Sequence, residues 1–223
     1  MTMPCRTCGA PLRGFEVIAD GGGAIHFTPT AAVLKKLEID ATFDGTGPRW
    51  LCRYLDGYPC FDCETVDLAV VDVRLLLECE GKEFPQSDWT CPACACPCLG
   101  PRPLESDGAA GRLLAFLKHK YGAPLDGRLC PSCGRVYLSL HPDDSVARKE
   151  LAERFPASGP CPSCRRGRRR VTRLDAPYCG YVALREPSHD GKEGRRVAGL
   201  LVAVCDSCGE ASTHPEPPGR AFQ

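Results

Sequence analysis

Six Cys-x-x-Cys pairs constrain this chain more than any other feature: Cys5/Cys8, Cys60/Cys63, Cys91/Cys94, Cys130/Cys133, Cys161/Cys164 and Cys205/Cys208. Two cysteines separated by two residues can turn both sulfurs toward one point. Two such pairs supply the four thiolates of a closed tetrahedral zinc site. Glycine follows the second cysteine at Gly9, Gly134 and Gly209, where it allows the positive φ of a tight turn. Neighbouring backbone N–H groups can then face the sulfurs and stabilise their charge. These twelve cysteines are the candidate metal ligands, enough for about three Zn²⁺ ions.

Disulfides are the competing explanation, and three observations weigh against them. The chain has 17 cysteines, an odd number, so they cannot all pair. Its first residues lack the basic-then-apolar pattern of a secretory signal, and no apolar run approaches the ~18 residues of a membrane span. The expected setting is therefore cytoplasmic and reducing, where disulfides are disfavoured. Aromatic residues make up 7% of the chain, beside 21 prolines and 23 glycines. That predicts a thin core and many turns, the situation in which small modules rely on metal.

Charge and local pattern divide the chain into three. Residues 1–85 carry a net charge of −5 and are expected to form an acidic zinc-ribbon-like module. There Phe15 and Val17, then Ile25 and Phe27 across Gly21–Gly23, predict a hairpin. Thr28-Pro29 predicts the start of a short helix through Ala32, Val33 and Leu37. Trp50–Leu55 reads as a strand. The Val and Leu content of Val66–Leu77 favours strand, with helix as the alternative. Residues 86–155 carry +1 and read as a central module with two helices. One spans Ser106–Tyr121, with Leu113, Phe116, Leu117 and Lys120 near one face and Gly122 as its stop. The other runs from His141-Pro142-Asp143-Asp144 to Phe155. Residues 156–214 carry +4 and read as a basic ribbon. Its strands are expected over Tyr178–Leu184 and Val197–Val204. Residues 215–223, with Pro215, Pro217 and Pro218, read as a disordered tail. The fold class expected is a small metal-stabilised α+β: tandem modules with short antiparallel sheets and two or three inserted helices.

Cys161-Pro-Ser-Cys164 and Cys205-Asp-Ser-Cys208-Gly209, with strand sequence between them, resemble zinc ribbons. The match is local and strongest over Cys161–Gly209. The resemblance implies two knuckles joined by a small sheet about one ion, as in transcription factors, polymerase subunits and adaptor proteins. Pairing of the knuckles stays open. Neighbours can combine, as Cys5, Cys8, Cys60 and Cys63; Cys91, Cys94, Cys130 and Cys133; Cys161, Cys164, Cys205 and Cys208. Alternatively Cys60/Cys63 joins Cys91/Cys94 and Cys130/Cys133 joins Cys161/Cys164, leaving the terminal pairs to close one site. Loop-closure entropy favours neighbours, but only logarithmically. Cys52, Cys79, Cys96, Cys98 and Cys179 read as small buried residues. Cys96 and Cys98 could also replace a ligand in the second group or bind a further ion.

The expected function is non-enzymatic: structural zinc sites presenting surfaces for macromolecular binding. Arg165, Arg166, Arg168, Arg169, Arg170 and Arg173 are candidate nucleic-acid contacts, because arginines engage phosphates. Tyr178 or Tyr181 could stack on bases. A protein-binding adaptor or inhibitor using the acidic first third is the alternative, and a Cys-x-x-Cys oxidoreductase the second. Iron–sulfur ligation also uses cysteine, but no tightly repeated Cys-x-x-Cys-x-x-Cys run is present. His26, His119, His141, His189 and His214 lack the spacing of a hydrolytic metal site. No membrane partner or small-molecule substrate is evident.

Overall fold

A computed structural model of the chain describes residues 2–19, 25–27, 55–80, 84–106, 111–112, 114–118, 121–141, 144–176, 180–187 and 194–216. In chain order its elements begin with β1 (Thr2–Pro4), β2 (Pro11–Arg13), β3 (Phe15–Ala19), β4 (Ile25–Phe27), β5 (Leu55–Cys60) and β6 (Thr65–Val70). Helix α1 (Val73–Glu80) leads to β7 (Gln86–Thr90), β8 (Pro97–Ser106), β9 (Gly111–Arg112), β10 (Leu114–Lys118), β11 (Tyr121–Leu129) and β12 (Arg135–Leu140). Helix α2 (Ser145–Arg154) leads to β13 (Ala157–Pro160), β14 (Arg168–Arg173), β15 (Asp175–Ala176), β16 (Gly180–Arg185), β17 (Arg196–Cys205) and β18 (Ala211–Pro215).

Every cysteine pair occupies the turn of an antiparallel hairpin. The flanking registers are Pro4↔Pro11, Cys60↔Thr65, Thr90↔Pro97, Leu129↔Val136, Pro160↔Arg168 and Val204↔Ala211. A knuckle reverses the chain within a few residues, so the strands on either side are set antiparallel and adjacent. Six knuckles thus make six hairpins.

The expected α+β class is overturned. Strand accounts for 59% of the described residues, helix is confined to α1 and α2, and eight strands close into a barrel. The pairings β16–β15–β10–β11–β12–β6–β5–β3 return to β16. β6 serves two neighbours on one edge, β18 at Val66 and β12 at Leu68 and Ala69. β16 likewise serves β15 at Gly180 and Tyr181 and β17 from Ala183. Strand pairing therefore runs across residues 85 and 155, as in β12–β6, β16–β3 and β18–β6.

The helix expected over Ser106–Tyr121 is absent. Leu114–Lys118 is a strand, and Lys118 faces Tyr121 in the register of β10 and β11. The spacing of Leu113, Phe116 and Leu117 satisfied a helical period. Pairing with β11 and β15 overrode it, which short apolar runs permit. The predicted hairpin of Phe15 with Ile25 is also corrected. β3 pairs with β5 and β16, whereas β4 pairs with β8. Val66–Leu77 divides into the end of β6 and the start of α1. α2 matches its expectation, but Asp144 is its cap rather than part of its first turn. The Asp144 carboxylate accepts from Ala147 N at 2.8 Å. The C-terminal strands lie where expected, as β16 and β17. The expected helix from Thr28, the Gly21–Gly23 turn, most of the Trp50–Leu55 strand and residues 217–223 of the expected tail lie outside the described residues. Pro215, expected in that tail, instead ends β18, and Glu216 bonds Arg173.

The core is fuller than the low aromatic content implied. Its largest fully buried side chains are aliphatic, among them Leu55, Leu104, Leu125, Leu174, Leu184 and Leu200. The first two cysteine groups pack in small satellite clusters, Cys5 and Cys60 with Leu12 and Tyr58, and Cys91 and Cys130 with Cys98. Among the described residues no helix is long and apolar enough to cross a membrane.

Candidate metal centres

The knuckles share a backbone device. In five of them the first cysteine's carbonyl accepts from the N–H four residues on: Gly9, Ala95, Gly134, Arg165 and Gly209, at 2.8–3.0 Å. Those residues have positive φ, as does Glu64 at the same position of the sixth knuckle. Glycine stands there in three knuckles, with φ of 74° to 76°. The other three hold Glu64 (50°), Ala95 (60°) and Arg165 (57°), the positive-φ non-glycine residues found in the described chain. A side chain in this region is strained by its Cβ. Each cysteine group joins one glycine knuckle to one strained knuckle.

The hairpins bring the sulfurs together as neighbours: Cys5, Cys8, Cys60 and Cys63; Cys91, Cys94, Cys130 and Cys133; Cys161, Cys164, Cys205 and Cys208. Within each group all four sulfurs lie within 4.8 Å of one another. The crossed scheme is not what the fold assembles. Contacts between the two hairpins of a group are 3.7 Å for Cys8–Cys60, 3.7 Å for Cys91–Cys133 and 3.4 Å for Cys94–Cys130. In the third group they are 3.8 Å for Cys161–Cys208 and 3.7 Å for Cys164–Cys205. Four thiolates at the zinc–sulfur distance of about 2.3 Å stand about 3.8 Å apart at the corners of a tetrahedron. The groups thus have the dimensions of single-ion sites with four cysteine ligands. The cysteines described are all free of disulfides.

Backbone N–H groups face sulfurs in the sets. Thr7 N lies 3.4 Å from Cys5 Sγ, Gly167 N 3.4 Å from Cys164 Sγ, and the N–H groups of Ser207 and Cys208 each 3.4 Å from Cys205 Sγ. N–H donation, chiefly from Cys8, Cys96 and Gly167 respectively, lowers the Cys5, Cys94 and Cys164 thiols to about 6. Cys63 is pushed up to about 12, mainly by its bond to Cys8, and burial raises Cys130 and Cys208. Each group therefore offers an incoming cation a ready thiolate, with the remaining protons displaced on binding.

Gly167 makes room for the third group. A Cβ there would stand 2.5 Å from Cys205 Sγ and 2.5 Å from Ser207 Cβ. Beside the second group, Cys98 is fully buried, and burial pushes its thiol up to about 12. It and Cys96 pack around the four sulfurs but belong to none of the three groups. Cys52 and Cys179, and the side chain of Cys79, lie outside the described residues.

The arginine run splits in two. Arg169 Nη2 donates to Ser212 Oγ at 2.6 Å, and Arg170 pairs with Asp206 at 3.0 Å and donates to Phe155 O at 2.8 Å. Arg173 makes two bonds to Glu216, at 3.1 and 2.7 Å, and lies 4.3 Å from the Tyr181 ring centre. These three brace strands. Arg165, Arg166 and Arg168 keep exposed side chains. His214 stands in no cysteine group. One ring nitrogen is 2.9 Å from Ser212 Oγ and Nδ1 is 2.7 Å from Glu64 O, tying β18 to the first group's strained knuckle. Sequence reasoning missed this role, because only pairing between β18 and β6 brings His214 near Glu64.

No protein-family model matches the chain, and no curated protein or solved structure matches it.

Proposed function

We propose that this is a non-enzymatic zinc protein in which three structural ions pin paired hairpins on a β-barrel, giving a rigid platform for macromolecular binding. The observation that carries this reading is the spacing of the twelve sulfurs, close to that of tetrahedral thiolate sites. Cys5, Cys8, Cys60 and Cys63 would hold one ion, Cys91, Cys94, Cys130 and Cys133 the second, and Cys161, Cys164, Cys205 and Cys208 the third. Bound zinc would supply charge neutralisation and a cross-link between hairpins. Four protein ligands per ion leave no position for a substrate, which supports a structural role. An oxidoreductase draws no support from sulfurs grouped in fours. Metal analysis of the intact chain tests the reading. About three zinc ions per chain, lost together with hairpin structure on chelation, are expected. A chain that stays folded and metal-free after exhaustive chelation refutes it.

Nucleic acid is the partner class favoured by one specific feature, the exposed cluster of Arg165, Arg166 and Arg168 beside the third group. Binding to mixed-sequence RNA or DNA at low salt is expected to weaken in the triple alanine variant. Unchanged binding, or none in the parent, removes nucleic acid. Partners that survive nuclease treatment in a pull-down would point instead to the protein adaptor.

A further inference from the structure

The first two cysteine groups are joined by a charged linkage centred on buried Asp67. Arg6 lies between Cys5 and Cys8, and its Nε is 2.5 Å from one oxygen of Asp67. Arg135, two residues past Cys133, has Nε 3.5 Å from the other oxygen. The same guanidinium donates through Nη2 to Pro4 O at 2.7 Å, immediately before Cys5. Asp67 is 5% exposed and Arg135 7%. A carboxylate so buried depends on both cations, since losing either leaves charge in a poorly solvated place. A second contact runs in parallel. Arg6 lies 5.3 Å from the Tyr137 ring centre, and the Tyr137 hydroxyl is 3.1 Å from Cys91 Sγ.

Topology makes this linkage consequential. β1 and β2 form their own two-stranded sheet, outside the barrel. Their docking rests on the first cysteine group, on Leu12 and Met3 packed with Tyr58, Cys60 and Ala69, and on the Arg6 and Pro4 contacts. Arg135 also holds the second group's knuckle, because its carbonyl accepts from Cys130 N at 2.9 Å. No corresponding bridge to the third group is seen among the described contacts of Arg6, Asp67, Arg135 and Tyr137.

We infer that the first two groups bind metal as one coupled unit: metal at the first seats the N-terminal hairpin, and the seated hairpin, through Arg6, Asp67, Arg135 and Tyr137, holds the second group in its ligating form. This rests on the zinc reading above and adds positioning roles for Asp67, Arg6 and Arg135. Coupling of this kind is reciprocal, so metal at the second group equally strengthens the first. The third group shares none of these four residues; its ties to the others, Leu140 N to Gly209 O and His214 to Glu64 O, involve no charge pair, and it is expected to load separately.

The test is a competition titration of the full chain with Zn²⁺ and a chelator, with the sites resolved as separate ¹¹³Cd resonances after cadmium substitution. Cys8→Ser, which disables the first group, is expected to weaken the second group about tenfold or more and leave the third unchanged; about tenfold lies within typical coupling between sites. Cys164→Ser is expected to weaken neither of the others. Asp67→Asn and Arg6→Gln keep every ligand, and are expected to abolish joint loss of the first two metals while three ions still bind. Three ions that bind and leave independently in the parent, or a second group indifferent to Cys8→Ser, overturn the coupling and leave the zinc reading standing. A chain that binds no metal overturns both.

Discussion

The strained position after each knuckle supports a paired exchange within one cysteine group. Ala95 and Gly134 occupy equivalent places in the second group, at φ of 60° and 74°. The left-handed conformation costs an L residue about 1–2 kcal/mol, while glycine gives back about 0.5–1 kcal/mol in added chain entropy. Ala95→Gly is therefore expected to stabilise by about 0.5–1 kcal/mol, and Gly134→Ala to destabilise by a similar amount. Packing does not obscure the second change. A Cβ at Gly134 would meet Val70 O at 3.5 Å and Val73 Cβ at 3.8 Å, ordinary contact. Gly9→Ala should behave alike, with nothing within 4 Å. Gly209→Ala should cost more, because Leu140 Cβ stands at 3.2 Å and Arg148 Nη2 at 3.3 Å. At this chain length 1 kcal/mol moves Tm by about 2–4 °C. Calorimetry at a fixed, buffered free-zinc concentration would resolve that shift, since bound ligand otherwise moves Tm by mass action. A lower Tm for Ala95→Gly, or an unchanged one for both Gly9→Ala and Gly134→Ala, would refute the assignment of strain.

Three further outcomes are expected. Gly167→Ala should lower metal content from about three ions to about two, because its Cβ would overlap Cys205 Sγ; unchanged content by mass spectrometry contradicts this. Zinc uptake by the metal-free chain should weaken as pH drops through about 6. Cys5, Cys94 and Cys164 are held at about 6, below the ordinary 9.0, so their thiolate contribution is present above that range and lost below it. Equilibrium dialysis across pH 4–8, on the order of the range these shifts span, would detect it; undiminished uptake at the acid end is the contrary result. Burial lowers the His214 titration below 6.5. Its stabilising neutral form is thus complete above that value and is lost as pH falls through the lowered one, which imidazole NMR would follow. A His214 midpoint above 6.5 contradicts the burial argument.

The cysteine groups were legible because a knuckle is local. Cys205-Asp-Ser-Cys208-Gly209 contains its own turn, its left-handed residue and its two sulfurs, so spacing alone names the candidate donors. Neighbour pairing was legible only as a preference, since loop entropy discriminates weakly. Strands β16 and β17 and helix α2 showed their own periodicity or cap. The segment after Ser106 misled because its apolar spacing satisfied a helix, and nothing local announced that β11 and β15 would compete for it. The whole arginine run read as a binding surface, because partners from distant segments leave no local mark. Asp206 and Glu216, which engage Arg170 and Arg173, lie more than thirty residues away in sequence.

The residues alone thus determined which atoms can bind metal, how many ions they suit and that each pair must reverse the chain. Tertiary structure alone decided that two of the reversals, β5–β6 and β11–β12, enter one closed barrel, that β16 meets β3, and that Asp67 stands between two cysteine groups. The physical reason lies in the bonds themselves. A knuckle closes through contacts within a few residues. Backbone pairing between strands uses the same N–H and C=O groups whatever the sequence, so partner and register are settled by side chains packing from distant segments.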